Sequence, residues 1–288
     1  MRDEAAVSEV ISRYEAKYLV TEAMVDAIRD HIRGICSPDR HAGADGRYRV
    51  NNLYFDTPDL RFYQDTRFKQ YTRFKPRVRF YGDRPEDWLW LELKHKVRNV
   101  TWKSRRRVDV SRLPGLFEDG VLPEGLAPAA CLTDSFEAVV ARFGASPILQ
   151  VQYVREPYVS DLDVYGRVTF DRRLMCRRLS GPDSFVAGEP FVSFDDPVSQ
   201  GVSSGQSLVV LEIKTDVRVP GWVQGMIRRF GLERRGFSKY CCALERSCPE
   251  RIPCDRISAF PMPREKVAEP ARIGLWPWRR RDPRVAQG

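Results

Sequence analysis

The chain has 288 residues, 42% hydrophobic and 11% aromatic, enough for one large domain or two modest ones. Its formal net charge of +9 and pI near 9.3 exclude an acidic surface and point to an anionic partner such as nucleic acid, a membrane surface, a nucleotide or polyphosphate. There is no apolar run of about 18 residues for a spanning helix, and the acid-bearing N-terminus lacks a secretory apolar region. With seven cysteines that lack framework spacing, the expectation is reduced thiols and a cytoplasmic location.

In chain order, Arg13–Val20 (RYEAKYLV) reads as a strand with Arg13, Glu15 and Lys17 on one face. Thr21 opens a helix whose Met24, Ala27, Ile28, Ile32 and Ile35 fall at helical spacing, with Gly34 near its end. Arg47–Thr57 is a second strand, stopped by Pro58, and Asp59–Asp65 a short helical piece. In Tyr71–Tyr81 (YTRFKPRVRFY) the cations Arg73, Lys75, Arg77 and Arg79 recur every second residue, with Phe74, Val78 and Phe80 between them. As a strand, this stretch carries four like charges on one face and apolar groups on the other. Trp88–Arg98 repeats the pattern, with Glu92, Lys94, Lys96 and Arg98 opposite Leu91, Leu93 and Val97. Thr101–Val110 sets Lys103, Arg105 and Arg107 on one face and forms a hairpin with it.

Residues 111–130 read as an irregular connection, followed by a helix near Asp134–Phe143 with Phe136, Val139, Val140 and Phe143 inward. Ile148–Val159, Gly166–Cys176 and Leu208–Thr215 are further strands. The second sets Arg167, Thr169, Asp171 and Arg173 on one face, and the third sets Glu212 beside Lys214. Residues 180–206 read as a surface loop. Helices at Pro220–Phe230 and Ser238–Arg246 close the domain, assigned to residues 10–248. Residues 249–288, with seven prolines and nine Lys or Arg, read as a tail whose WPWRRR (Trp276–Arg281) is a candidate for peripheral membrane contact.

Strands with one charged and one apolar face can turn their charges outward, as in an ordinary sandwich or barrel. Alternatively they line a closed barrel with charge and cover its apolar outside with helices. The apolar stripes on the helices need such an outer wall as partner, and a cation-lined interior is tolerable only if it is wet or holds a polyanion. An outer-membrane barrel also has a polar interior, but the interrupting helices argue against it. The expected fold is α+β, an eight-stranded antiparallel tunnel with a cation-lined interior and about four flanking helices.

RYEAKYLV, NNLYFDT, KPRVRFYG, LELKHKV, SRRRV, YVREPYV, RVTFDRRL, LEIK and GFSKY occur in this order between about Arg13 and Leu244. Together they resemble the VTC domain, the polyphosphate polymerase module of the vacuolar transporter chaperone complex and its bacterial relatives. That module is one of the triphosphate tunnel metalloenzymes, alongside the adenylate cyclase and thiamine-triphosphatase (CYTH) relatives. The resemblance implies transfer of the γ-phosphoryl group of ATP to polyphosphate with release of ADP, assisted by Mn²⁺ or Mg²⁺. It assigns phosphate binding to Lys17, Arg77, Arg79, Lys94, Arg105, Arg107, Arg155, Lys214 and Lys239, and nucleotide contacts to Arg77, Arg79, Lys94 and Arg155. Glu212 is its metal-ligand candidate, followed by Glu15 and Asp171. Two departures stand out. Arg13 replaces the first carboxylate of the ExExK motif, which argues against a two-metal hydrolase. Gly236 replaces a Lys of the yeast-type members, for which Arg235 is the candidate substitute. A tunnel triphosphatase and a non-catalytic polyphosphate-binding module remain the alternatives.

GVSSG (Gly201–Gly205) fits a nucleophile-elbow pattern but lacks the strand before it and helix after it. No P-loop motif is present, and His31, His41 and His95 form no metal pattern. A single-stranded nucleic-acid groove interleaves aromatics with its cations. Here Phe74 and Phe80 fall opposite theirs, so a pure phosphate ligand is expected, with no nucleic acid.

Overall fold

The computed structural model describes residues 7–11, 13–98, 100–113, 115, 135–180, 190–196 and 208–252. The strands are β1 (Val7–Ile11), β2 (Arg13–Val20), β3 (Cys36–Pro38), β4 (Tyr48–Asp56), β5 (Thr72–Tyr81), β6 (Trp88–Val97), β7 (Val100–Asp109), β8 (Ser146–Ser160), β9 (Gly166–Arg178), β10 (Val192–Ser193) and β11 (Val209–Asp216). The helices are α1 (Glu22–Ile32), α2 (Arg61–Arg67), α3 (Phe136–Phe143), α4 (Gly221–Arg229) and α5 (Lys239–Ser247).

All pairings are antiparallel, in the order β1-β7-β6-β5-β4-β8-β9-β11-β2. The two ends of that order are one piece of chain. β1 pairs with β7, Val7 opposite Arg105 and Ile11 opposite Thr101, while β2, one residue later, pairs with β11, Arg13 opposite Asp216 and Val20 opposite Val209. β1 and β2, close in sequence, therefore pair with the two opposite edges, and the sheet curls into an eight-stranded, barrel-like ring. The short β3 and β10 pair with β8 and β9 beyond the stretches that pair with β4 and β11.

The apolar core lies on the outside of the ring. Under α2 and α3 it is built from Leu53, Phe62, Phe74, Val78, Leu91, Leu93, Phe136 and Val139. Under α1 and α4 it is built from Tyr18, Ile28, Ile32, Phe170, Leu211, Ile213, Val223 and Met226. Burying each such side chain contributes roughly 1.5–3 kcal/mol, so the helices act as the hydrophobic cover that the outward faces require. Caps set the helix limits: Thr21 Oγ1 accepts from the Met24 N–H, Ser135 from that of Ala138, and Gly144 ends α3 in the left-handed region at φ 57°.

The expected strands and helices are present, with local corrections. Val25, not Ala27, joins Ile28 and Ile32 on the buried face of α1, because that i, i+3, i+7 spacing keeps one azimuth while Ala27 is turned to solvent. Arg173 does not continue the face of Thr169 and Asp171. Its φ of 53° and the register shift between β8 and β9 mark a bulge, and its side chain is exposed. β3 and β10 are too short to show a period in sequence. GVSSG, residues 116–134, most of the 180–206 stretch and the tail beyond Ile252 lie outside the described residues. No described helix is long and apolar enough to cross a membrane.

Candidate functional site: a charged tunnel

Because the apolar positions of each strand face the helices, the alternate positions must face the lumen. β5 sends in Lys75, Arg77 and Arg79, β6 Glu92 and Lys94, β7 Lys103, Arg105 and Arg107, β8 Tyr153 and Arg155, β9 Thr169 and Asp171, β11 Glu212 and Lys214, and β2 Glu15 and Lys17.

On the β5–β6–β7 wall four cations converge on one carboxylate. Glu92 is 2% exposed and lies 2.6 Å from Arg77 Nη2, 3.1 Å from Lys103 Nζ, 3.3 Å from Arg105 Nε and 3.8 Å from Arg79 Nη1. Burial alone would raise its pKa, but Arg79, Arg77, Lys103 and Arg105 outweigh that and hold it well below the usual carboxylate range. Arg79 Nε also donates to Asn52 Oδ1 at 3.0 Å, which fixes the guanidinium plane. The crowding is felt by the lysines. Burial, reinforced by Arg77 and Arg79, brings Lys103 down to about 8 against the pull of Glu92. Burial with Lys17, Lys94 and Arg73 as neighbours brings Lys75 to about 8.

On the β8–β9–β11 wall, Arg155 donates bidentately to Asp171 at 2.7 and 2.8 Å and lies 3.6 Å from Glu212. Lys239 Nζ is 2.7 Å from Asp171, and Lys214 Nζ is 2.8 Å from Glu212. Despite complete burial, Arg155 and Lys239 bring Asp171 down to about 2. Glu212 is likewise held well below its usual range, its burial outweighed by Lys214, Lys17 and Arg155. Glu15 joins the two walls, 3.3 Å from Lys94 and 3.8 Å from Lys17.

Helix α5 begins inside this lattice. Ser238 caps it, accepting from the Cys241 N–H and from Lys75 Nζ at 3.4 Å each, and Lys17 Nζ donates to the Phe237 carbonyl at 3.4 Å. Tyr240 stacks on Tyr54 and donates its hydroxyl to Asp56, so the helix is pinned at the end of the ring where β5 starts. Lys239, 7% exposed, opposes the positive end of the α5 dipole, and a bound anion would answer both.

Comparison with known proteins places this geometry. The family profile "VTC domain" matches residues 12–247. The chain belongs to the VTC-domain family. A Bacillus halodurans protein proposed to be an adenylate cyclase is similar in structure, with 11% identity, a TM-score of 0.48, and coverage of 80% of this chain and 95% of that one. A Hippeastrum protein proposed to be an adenylyl cyclase, and described as having a dominant triphosphatase activity, shares 15% identity, a TM-score of 0.47, and coverage of 82% and 97%. The PH1819 protein of Pyrococcus horikoshii shares 14% identity at a TM-score of 0.40, with coverage of 81% and 99%. A search of curated proteins finds no match.

The lumen of this VTC domain collects Lys17, Arg77, Arg79, Lys94, Arg105, Arg107, Arg155, Lys214 and Lys239, all nine cations selected from sequence, together with Glu15, Asp171 and Glu212. Two luminal residues, Glu92 and Lys103, carry no role in the sequence reading. Glu92, the centre of one wall, was read only as part of an alternation. Its mark in the sequence is a lone acid on a face of cations. Lys103 lies on the expected face, and Lys75, one of the four alternating cations of β5, faces the lumen beside Ser238. Tyr153 holds Arg155 and Lys239 against its ring, centroids 5.3 and 4.8 Å away. Arg235 does not take the place of the Lys missing at Gly236. Its N–H donates to the Lys17 carbonyl at 2.9 Å, and its guanidinium pairs with Glu233 at 3.7 Å.

The aromatic expectation needs correction as well. Phe74 and Phe80 do pack outside, and His95 stacks on Phe74 at 4.4 Å on that outer side. Trp88 and Trp90, however, share the luminal face with Glu92, with the guanidinium of Arg107 4.3 Å from the Trp88 ring centre and that of Arg105 3.4 Å from that of Trp90.

Among the described residues no three His, Cys, Asp or Glu side chains are arranged to hold a metal unaided. Glu212 and Glu15 nevertheless offer hard oxygen donors next to the luminal cations Lys17, Lys94 and Lys214, a donor set that would fit Mg²⁺ or Mn²⁺ with phosphate oxygens and water as the remaining ligands. Asp171 has both oxygens engaged by Arg155 and Lys239.

Proposed function

We propose that the protein is an ATP-dependent polyphosphate polymerase, transferring the γ-phosphoryl group of ATP to a growing polyphosphate chain and releasing ADP. The observation that carries this reading is the curled, barrel-like sheet with arginines and lysines directed inward from β2, β5, β6, β7, β8, β11 and α5. A linear polyanion threading such a lumen meets cations on every side, whereas a surface-bound one would not.

Phosphoryl transfer asks little covalent chemistry of the protein; it needs in-line positioning and charge around the equatorial oxygens. The attacking group is a terminal phosphate oxygen that is already anionic, so no side chain has to remove a proton. Of the three histidines, His95 lies outside the lumen, His31 packs on Phe230 and His41 accepts from Arg40. One P–O bond forms at the γ-phosphorus, the bond to the β-phosphate oxygen breaks, and ADP leaves with the electron pair. Arg77 and Arg79 present forked donors that keep their charge at any working pH. Arg155 and Lys239, both anchored by Asp171, hold the acceptor end opposite them. Glu212 and Glu15 would hold Mn²⁺ or Mg²⁺, which when bound neutralises developing charge on the phosphates.

Incubating the purified protein with ATP and Mn²⁺ and resolving the products tests this. Long-chain phosphate with stoichiometric ADP is expected. Free orthophosphate alone would make it a tunnel triphosphatase, and tight polyphosphate binding without turnover a binding module.

A further inference from the structure

The lumen is not uniform along its axis. At the end where α5 enters, the inward residues are Lys17, Lys75, Lys94 and Lys239. At the opposite end the character changes. Trp90 lies opposite Arg79 on one side and Arg107 on the other, and Trp88 is two residues nearer the rim. Tyr81, 40% exposed, ends β5 on the same luminal face, and Tyr48 on β4 meets it edge to face with ring centroids 5.5 Å apart. The two tryptophans are half-buried. A phosphate chain has nothing to stack on these rings, and the apolar core is on the other side of the wall.

We propose that Trp88, Trp90 and Tyr81 form a nucleobase-stacking collar at the mouth away from α5, which receives the base of a nucleoside triphosphate while its phosphates reach inward to Arg79, Arg77 and Lys94. Aromatic faces interleaved with arginines are the arrangement that binds bases, because every base has a π face. Spacing agrees: from Trp88 to Lys94 is six residues along one strand, roughly 20 Å at 3.4 Å per residue, which accommodates an extended nucleoside triphosphate. The collar distinguishes nucleotide from polyphosphate but has no reason to distinguish one purine from another. This deepens the nucleotide-binding part of the proposed function and rests on it. The alternative is that the indoles only brace Arg105 and Arg107. In that case removing them would loosen both arginines and harm every phosphate ligand alike.

Binding without turnover decides between these, and it leaves the polymerase question to the product assay. In the double variant Trp88→Leu/Trp90→Leu, the Kd for ATP is expected to rise at least about fivefold while that for tripolyphosphate stays within about twofold. Equal weakening of both ligands, or of neither, would overturn the collar. Should the double variant fail to fold, the unaltered protein answers the same question through its own indole fluorescence. ATP and GTP are expected to quench it, and tripolyphosphate at saturation to leave it unchanged. Quenching of the same size by all three would refute the stacking.

Discussion

The two walls of the tunnel use similar residues to different ends. On the β5–β6–β7 side a single buried carboxylate, Glu92, faces Arg77, Arg79, Lys103 and Arg105. On the β8–β9–β11 side two carboxylates, Asp171 and Glu212, share Arg155, Lys214 and Lys239. The first wall holds more positive charge than it can satisfy internally, and two of its lysines show it in pKa values brought down to about 8. The second is nearly balanced, each acid tied to named cations. In the proposed function the unbalanced wall takes the anion, whereas the balanced one, holding its groups at fixed positions, would suit a metal and an acceptor end. Preorganisation of this kind is costly in the free protein, because crowded buried cations repel, and on the proposed function phosphate would offset that cost.

The sharpest way to break this contrast is to strip the unbalanced wall. Arg77→Ala combined with Arg79→Ala is expected to lower product formation at least about a thousandfold, since two forked phosphate donors vanish together. Unchanged product formation would dismiss the tunnel as the site. On the balanced wall, Glu212→Gln should lower turnover by about a hundredfold or more while polyphosphate affinity falls little or rises, because a carboxylate is lost but no phosphate donor is. Measuring turnover and binding side by side checks this; a parallel loss of both would place Glu212 in the structural lattice alone.

Stability separates the walls in another way. Glu92→Gln leaves four cations facing one another and should destabilise the free protein by about 3 kcal/mol. Saturating tripolyphosphate should restore more stability to this variant than it adds to the parent. Denaturant unfolding with and without the ligand gives both numbers, and equal ligand effects would mean that Glu92 does not balance the binding cations.

The smallest effects concern pH. The lysines at positions 75 and 103 have folded-state values of about 8, below the ordinary 10.5, so between these limits the unfolded chain binds more protons. Stability of the free protein therefore rises as pH passes from 8 to 10, while polyphosphate affinity falls several-fold as the same two charges are lost. In acid the balanced wall gives way. Asp171, held near 2, contributes stability that is complete above its ordinary value near 4 and lost as pH falls toward 2. Thermal melts and ligand titrations across pH 2–10 would show both limbs; a flat alkaline limb would contradict the crowded-lysine account.

Much of this was legible in the residues. Alternation in Tyr71–Tyr81, Trp88–Arg98 and Thr101–Val110 identified strands with a charged face, because a strand turns each side chain opposite to the last. Helical spacing in α1 and α3 identified the cover for their apolar face. What pointed inward was also readable, since Leu91, Leu93, Val209 and Leu211 could go only to one side. Two kinds of feature escaped. Arg173 follows the period in sequence but leaves it in space, because a residue at φ 53° takes a bulge that no composition announces. Glu92 looked like one more charge in a series, since the sequence does not say that Arg77, Lys103 and Arg105 arrive from both neighbouring strands at the same carboxylate.

By itself, then, the order of residues determined which elements form, which face of each is charged, and that an anion is needed, because these follow from local period and composition. The tertiary structure alone decided that β1 and β2 pair with opposite edges of the curled sheet, that the cations fall into an unbalanced wall and a balanced one, and that Trp88 and Trp90 face the lumen. Each of these depends on register between strands distant in sequence, and register is set by packing over the whole barrel rather than by any local preference.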